Sequence, residues 1–316
     1  MQSAQPVSPA SPSRPSLAYR AAILTVVVAP LIGVVLAIRL LWQSAVSWTD
    51  ITLLLVMYAL VALGVTVGFH RMLTHRSFTP HPAIKFILLV LGSMAFEGPA
   101  LSWAATHIKH HAVADREGDP HSPLDGFFHA HMGWLFTKQM EDPNVYCRHL
   151  VKDPIIAFVS RTFPLWAGLS LVIPFAIGGW HGLIWGGLVR MFLTHHVTWS
   201  VNSVCHTFGK RPYETNDASR NEWLVGLLAF GEGWHNNHHA FPRSAIHGLR
   251  WWQFDLSGLL IVALEKVGLA SDVYRVPPEQ LARRAARTAA LRSDPRAAED
   301  AEDAAATPLV GAAASE

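Results

Sequence analysis

Gly231-Glu232-Gly233-Trp234-His235-Asn236-Asn237-His238-His239-Ala240-Phe241-Pro242 places three histidines at i, i+3 and i+4. On a helix those imidazoles share one face. Neutral imidazole is a ligand for iron, copper, zinc or nickel. The spacing recurs at His107-Ile108-Lys109-His110-His111. A third cluster, His70-Arg71-Met72-Leu73-Thr74-His75, lies between apolar stretches. A lone histidine in an apolar protein is ordinarily a hydrogen-bonded structural residue. Eight imidazoles in three clusters would cost several kcal/mol in desolvation unless each finds a partner. A metal supplies that partner.

The rest of the chain reads as a scaffold in a membrane. Of 316 residues, 51% are hydrophobic and 15% charged, against about 25% charged in a soluble domain. Two cysteines, Cys147 and Cys205, cannot build a disulfide framework, a Cys-ligated iron–sulfur cluster or a zinc knuckle. No nucleic-acid partner is expected. Residues 1–18 are Pro/Ser/Ala-rich and predict a disordered tail. Apolar runs at 21–42, 51–69, 155–177 and 181–203 predict four membrane-spanning helices. Residues 83–101 contain a shorter apolar segment, broken at Glu97-Gly98-Pro99, which predicts an in-plane or re-entrant piece. Were it to cross, His107 and His70 would lie on opposite sides of the membrane.

Arg71, Arg76 and Lys85 follow the second run and predict a cytoplasmic side there. The expected core domain is 19–276, followed by an Ala-rich, charged tail at 277–316. Arg161 and Arg190 lie inside apolar runs and are expected to face protein or an interface. Trp251-Trp252 and the helix after them suggest an interfacial segment. The fold class is therefore an all-α integral membrane protein with a cytoplasmic helical cap. Both termini and the histidines lie on the cytoplasmic side.

This topology brings a ninth imidazole to the others. Asn202 and His206, at i and i+4, end the fourth run. Nine imidazoles exceed one coordination sphere, so two metals are expected. His70 and His75 are five apart, about 140° around an ideal helix. Either the helix end is distorted or the two serve different metals.

The segments GFHRMLTHRSF (68–78), HIKHHAVADREGDPHSP (107–123), TWSVNSVCHTFGKRPY (198–213) and GEGWHNNHHAFP (231–242) resemble membrane fatty acyl desaturases of the stearoyl-CoA Δ9 desaturase family. The resemblance covers about 60 to 275. It implies a di-iron centre ligated by His70, His75, His107, His110, His111, His206, His235, His238 and His239, with Asn202 reaching one iron through water. It also implies O2 as co-substrate. Iron with nitrogen ligands and an open position can activate O2, whereas a closed zinc site cannot.

Asp115, Asp119 and Glu232 are candidates to orient ligand imidazoles. Trp103, Trp199 and Trp234 are candidates to line a dry acyl tunnel. Tyr58, about 16–21 Å before His70 along the span, is a candidate plug at its far end. His195 is a further candidate for the path to the metal. The remaining histidines, His81, His121, His129, His131, His149, His181, His196 and His247, read as structural.

No haem, flavin or nucleotide motif is present, so electrons are expected from a separate ferredoxin or cytochrome b5-type protein. Lys109, Lys138, Arg148, Lys152, Lys210 and Arg211 could meet it, or an anionic head group. The expected reaction is insertion of a cis Δ9 double bond into a saturated long-chain acyl-CoA. In acyl-CoA members a charged pair beside the conserved tryptophan helps to hold CoA. Here that interval is Ala104-Ala105-Thr106, so acyl-lipid and acyl-carrier-protein substrates stay open. So does a di-iron hydroxylase or alkane-type monooxygenase. A histidine-rich membrane metal transporter is the reading from a different class.

Overall fold

The structure is a computed structural model describing residues 15–137 and 140–293. Lys138, most of the expected N-terminal tail and residues 294–316 lie outside the described residues. Helix α1 (Leu17–Trp42) starts where the Ser16 side chain accepts the Tyr19 N–H. Residues 17 and 18 thus belong to a helix, not to a tail. Its side chains are largely exposed, with Leu24, Leu31, Ile32, Val35 and Ile38 facing outward, as lipid contact requires.

Ser47 and Asp50 form a capping box on α2 (Trp48–Leu63). That helix runs on as a π-helix over Gly64–Thr74. A Cβ on Gly64 would come within 2.2 Å of the Gly92 backbone nitrogen. Glycine there lets α3 (Pro82–Ser93) lie directly against the π-helix. At 12 residues, or about 18 Å, α3 is too short to cross a bilayer. The chain breaks at 94–99 and restarts as α4 (Ala100–Val113). The segment expected at 83–101 is therefore two helices, and Ala100 and Leu101 belong to the second.

The run expected at 155–177 is also divided. Asp153 caps α5 (Pro154–Arg161), Thr162 leaves the helix, and Pro164 begins the next. Proline suits a first helical turn because its missing N–H has no partner to lose there. Helix α6 (Phe163–Gly182) continues through a π-turn, Leu183–Val189, into α7 (Arg190–Ser203). At Gly179 the backbone takes φ 59°, a conformation open to glycine, and the chain reverses. Arg190 Nη2 donates to Ser170 Oγ at 3.0 Å. In a straight helix those residues would stand about 30 Å apart. Arg190 is buried and also donates to the Met94 carbonyl.

Among the described residues, three helical runs are long and apolar enough to cross a membrane: Leu17–Trp42, Trp48–Thr74 and Phe163–Ser203. The last is the one folded at Gly179.

Around the π-helix, α3 and α4, a core of Val67, Phe69, Leu89, Ala104 and Ile261 closes off solvent. Short helices α8 (Trp223–Leu228), α9 (His235–Ala240) and α10 (Leu256–Lys266) follow the last apolar run. Thr79–Pro80 pairs antiparallel with Ala270–Ser271, a small departure from the all-α expectation. Helix α11 (Pro278–Ser293) replaces the first part of the expected tail. Arg71, expected among the cations flanking the membrane, is wholly buried. It donates to Glu232, to Asp255 and to the Ala245 carbonyl, and so ties the π-helix to the segment carrying α9. Trp251 and Trp252 are exposed.

Candidate metal centre

The nine histidines converge in two groups. His70, His75, His107, His111 and His238 present ring nitrogens that all lie within 4.8 Å of one another. His110, His206, His235 and His239 form a second such set. The partition follows from helix geometry. Residues four apart differ by about 40° and adjacent residues by about 100°. Helix α4 gives His107 and His111 to the first group and turns His110 toward the second. Helix α9 does the converse, giving His235 and His239 to the second and His238 to the first.

The π-helix resolves the five-residue interval between His70 and His75. The His75 N–H donates to the His70 carbonyl at 3.1 Å, the i→i−5 bond of a π-turn. Thr74 Oγ1 repeats the interval to the Phe69 carbonyl. The wider turn brings the two rings onto one side, 4.7 Å apart at their centroids. Such π-bulges are frequent at functional sites.

Carboxylates fix the ring orientation. His206 Nδ1 donates to Asp115 at 2.8 Å, His110 Nδ1 to Asp119 at 3.0 Å and His239 Nδ1 to Asp217 at 2.9 Å. His70 Nδ1 lies 2.6 Å from Glu232 Oε2. Asp115 is itself held at φ 56° by a bond from its own N–H to Asp119. It also receives the Ala218 N–H at 2.7 Å.

With Nδ1 occupied on these four rings, Nε2 is their free acceptor. The Nε2 atoms do face one another: His70 to His238 at 3.1 Å, His238 to His111 at 2.9 Å, His111 to His107 at 3.1 Å, His235 to His206 at 3.0 Å and His239 to His235 at 3.0 Å. Lone pairs aimed together at this distance repel, and a cation between them relieves it. At metal–imidazole distances of about 2.0–2.1 Å, two ligands at right angles stand about 3 Å apart. His75 Nε2, buried without a hydrogen-bond partner, is a further free donor atom. The residues present thus fit two metal ions.

Electrostatics keep these imidazoles in the neutral form that a metal can bind. Burial first, and neighbouring imidazoles second, push His75, His107, His111, His235 and His238 well below the usual histidine range. Burial brings His239 down to about 4. Burial opposes charge on Asp115, Asp119, Asp217 and Glu232. Their histidine contacts, with Arg71 for Glu232, prevail and hold all four below the carboxylate range.

An apolar cavity of about 280 Å³ reaches His70, His107 and His235. Tyr58, Trp103, Trp199, His195 and Asn202 line it, together with Tyr19, Ala22, Ile23 and Val26 of α1. Trp234, expected in this wall, is elsewhere. Its Nε1 donates to the Phe254 carbonyl, and its ring packs edge-on against Trp252. Tyr58 donates to the Leu228 carbonyl at 2.7 Å. His195 is fixed by a 2.8 Å bond to the Ala95 carbonyl.

Three residues were not anticipated. Asp217 lies 22 positions before His239, with no helical spacing to announce it. His247, read as structural, is buried beside the five-histidine group, 3.4 Å from Glu232 and 4.5 Å ring to ring from His238. Glu97 lines the cavity and accepts from Trp103 Nε1 at 3.0 Å. Burial pushes its carboxyl up to about 7, against hydrogen bonds from Thr198 and Trp103. The Glu97 break in the apolar run was the available signal. His121 also packs on a ligand, 4.4 Å from the His110 ring.

Residues 46–256 match the family model for fatty acid desaturase. A hex-5-enoyl-(acyl-carrier protein) acetylenase of Moorena producens (strain JHB) is 43% identical over 267 residues, covering 78% of this chain and 83% of that protein. An acyl-CoA C20 Delta5-desaturase of Anemone leveillei is 41% identical over 241 residues, covering 75% of this chain and 77% of that protein. An sn-1 stearoyl-lipid 9-desaturase of Anabaena variabilis is 39% identical over 241 residues, covering 75% and 88%. With its histidine clusters and membrane-capable helices, the chain belongs to the fatty acid desaturase family.

Proposed function

We propose that the protein uses two irons and O2 to insert a cis Δ9 double bond into a saturated long-chain acyl group, with acyl-CoA as the carrier. The carrying observation is the apolar cavity, which runs from the first helices to ligands of both histidine groups. The overall change is R–CH2–CH2–R′ + O2 + 2 e⁻ + 2 H⁺ → R–CH=CH–R′ + 2 H2O. Irons held by the nine histidines would supply O2 activation and the removal of hydrogen from an unactivated carbon. Asn202, which lines the same cavity as His235, would reach one of them through water.

The chain's own residues do the positioning. Asp115, Asp119, Asp217 and Glu232 lock the imidazoles. Trp103, Trp199 and Tyr58 shape the acyl path and keep it dry. We read the two halves of Phe163–Ser203 as separate crossings, which gives four spans with the metals and both termini on the cytoplasmic side. The two electrons come from a separate ferredoxin or cytochrome b5-type protein.

A lipid-linked acyl chain is the second reading. It is favoured by Tyr19, Ala22, Ile23 and Val26, which place a wall of the cavity on the lipid-facing first helix. Ala104 and Ala105, both buried, offer CoA no charge. Expression in a host lacking Δ9 unsaturation tests both readings. A Δ9 monoene, found by mass spectrometry in the acyl-CoA pool before the lipids, is expected. First appearance in intact lipid selects the second reading, and a hydroxylated product without a double bond rejects both.

A further inference from the structure

A polar cleft reaches the metal centre from outside the acyl cavity. Thr74, His75, Ile108, His111, Asp217, His239 and Pro242 line it, and none of them lines the apolar cavity. It therefore exposes ligands of both groups: His75 and His111 of the five, His239 of the four. Five of its seven lining residues carry an imidazole, a carboxylate or a hydroxyl, beside Ile108 and Pro242, so it suits an acyl chain less well than the apolar cavity does.

The rim of this cleft is strongly basic. Helix α11 carries Arg283, Arg284, Arg287 and Arg292 against a single acid, Glu279. The helix is seated on the loop that forms the cleft's edge. Thr288, buried, accepts the Glu214 N–H at 3.0 Å, and Arg292 pairs with Glu214. Arg284 lies close enough to Asp217 to interact with it electrostatically, and Asp217 in turn holds His239. Arg243 follows Pro242 and lies over the Tyr274 ring at 5.2 Å. Arg76 follows His75 and is exposed. Among the described residues, no carboxylate pairs with Arg76, Arg243, Arg283 or Arg287. By contrast, Lys109 and Arg211 of the patch expected from sequence are taken up by Glu141 and Glu214.

We propose that α11, with Arg76 and Arg243, is the docking surface for a small acidic one-electron carrier protein, and that electrons enter at the cleft. This rests on the desaturase reading, whose reaction consumes two electrons, one from each of two reduced carriers. Uncompensated positive charge around a polar opening steers an acidic partner and fixes its orientation. A membrane surface fits less well. An interfacial helix needs bulky apolar residues on its buried face, and α11 shows no exposed large hydrophobic side chain.

The test uses full-length, iron-loaded protein in nanodiscs, with a reduced [2Fe–2S] ferredoxin and a soluble cytochrome b5 domain as probes. Arg283 and Arg287 are exposed and can be reversed without disturbing Asp217. In Arg283→Glu/Arg287→Glu, carrier affinity at low salt is expected to fall at least tenfold and most of its salt dependence to vanish. The carrier concentration at half-maximal turnover should rise by the same factor, while turnover driven by dithionite and a small mediator stays within twofold. Arg148→Glu/Lys152→Glu should change none of these. Unchanged affinity for both carriers in the first variant overturns the proposal. So does a defect seen only in nanodiscs of anionic lipid, which would assign the arginines to the membrane. Absence of product even with dithionite would instead count against the desaturase reading, and the binding measurement would still decide the docking.

Discussion

The five-histidine and four-histidine groups differ in what stands behind them. In the smaller group His110, His206 and His239 each rest on an aspartate. In the larger group, of the four carboxylates described, only Glu232 reaches a ring, that of His70, and it is shared with Arg71. The four-histidine group therefore has three carboxylates that fix its rings from surrounding loops and that would offset a divalent cation. The five-ligand group relies on ligand number and on the register of a membrane helix. One centre is oriented by charge, the other by backbone geometry.

The largest expected effect treats the two groups alike. His238→Ala and His235→Ala should each abolish product formation, and each should lower iron from two per chain toward one. Activity in either variant, or one iron per chain in the parent, would break the assignment of that group.

The carboxylates should then separate them. Asp217→Asn should weaken metal binding about 10–100-fold, as loss of an outer-shell partner does, with little change in thermal unfolding. Glu232→Gln should lower the melting temperature as well, because Arg71 then keeps Asp255 as its one carboxylate beside the Ala245 carbonyl, and breaking a buried ion pair is strongly destabilising. Metal titration and melting curves read both. Identical behaviour of the two variants would erase the distinction.

The smallest effect concerns the cavity that serves both groups. Tyr58→Ala removes a ring from its wall and should move the C16-to-C18 product ratio toward longer chains by up to about tenfold, with iron content unchanged. An unaltered ratio would take Tyr58 out of the acyl path.

What could be read from the sequence was local. Spacing within α4 and α9 announced the i, i+4 pairs His107/His111 and His235/His239, but the expected single face was wrong for His110 and His238, each of which turns to the other group; the apolar runs announced helices. Asp115 and Asp119 follow His110 and His111 closely enough to be suspected, and Glu232 precedes His235. Asp217 and His247 belong to loops whose return to the metals depends on tertiary packing, so nothing in their neighbourhoods marked them. The 155–177 run misled because average hydropathy does not register the Thr162 break or the restart at Pro164. Trp234 misled because nearness in sequence to a ligand says nothing of which way a ring points. Arg71 looked like a boundary charge, and only the fold reveals the two carboxylates that absorb it.

The π-helix between Gly64 and Thr74 makes chain length itself a component of the five-histidine group. Loops elsewhere can gain or lose residues without moving a ligand. Within this turn, adding a single residue between His70 and His75 would leave all nine histidines in the chain. The two would then be six apart, about 120° from each other on an α-helix, and the turn that now closes five residues would no longer bring their rings together. The centre is thus specified by a count of residues as much as by their identity.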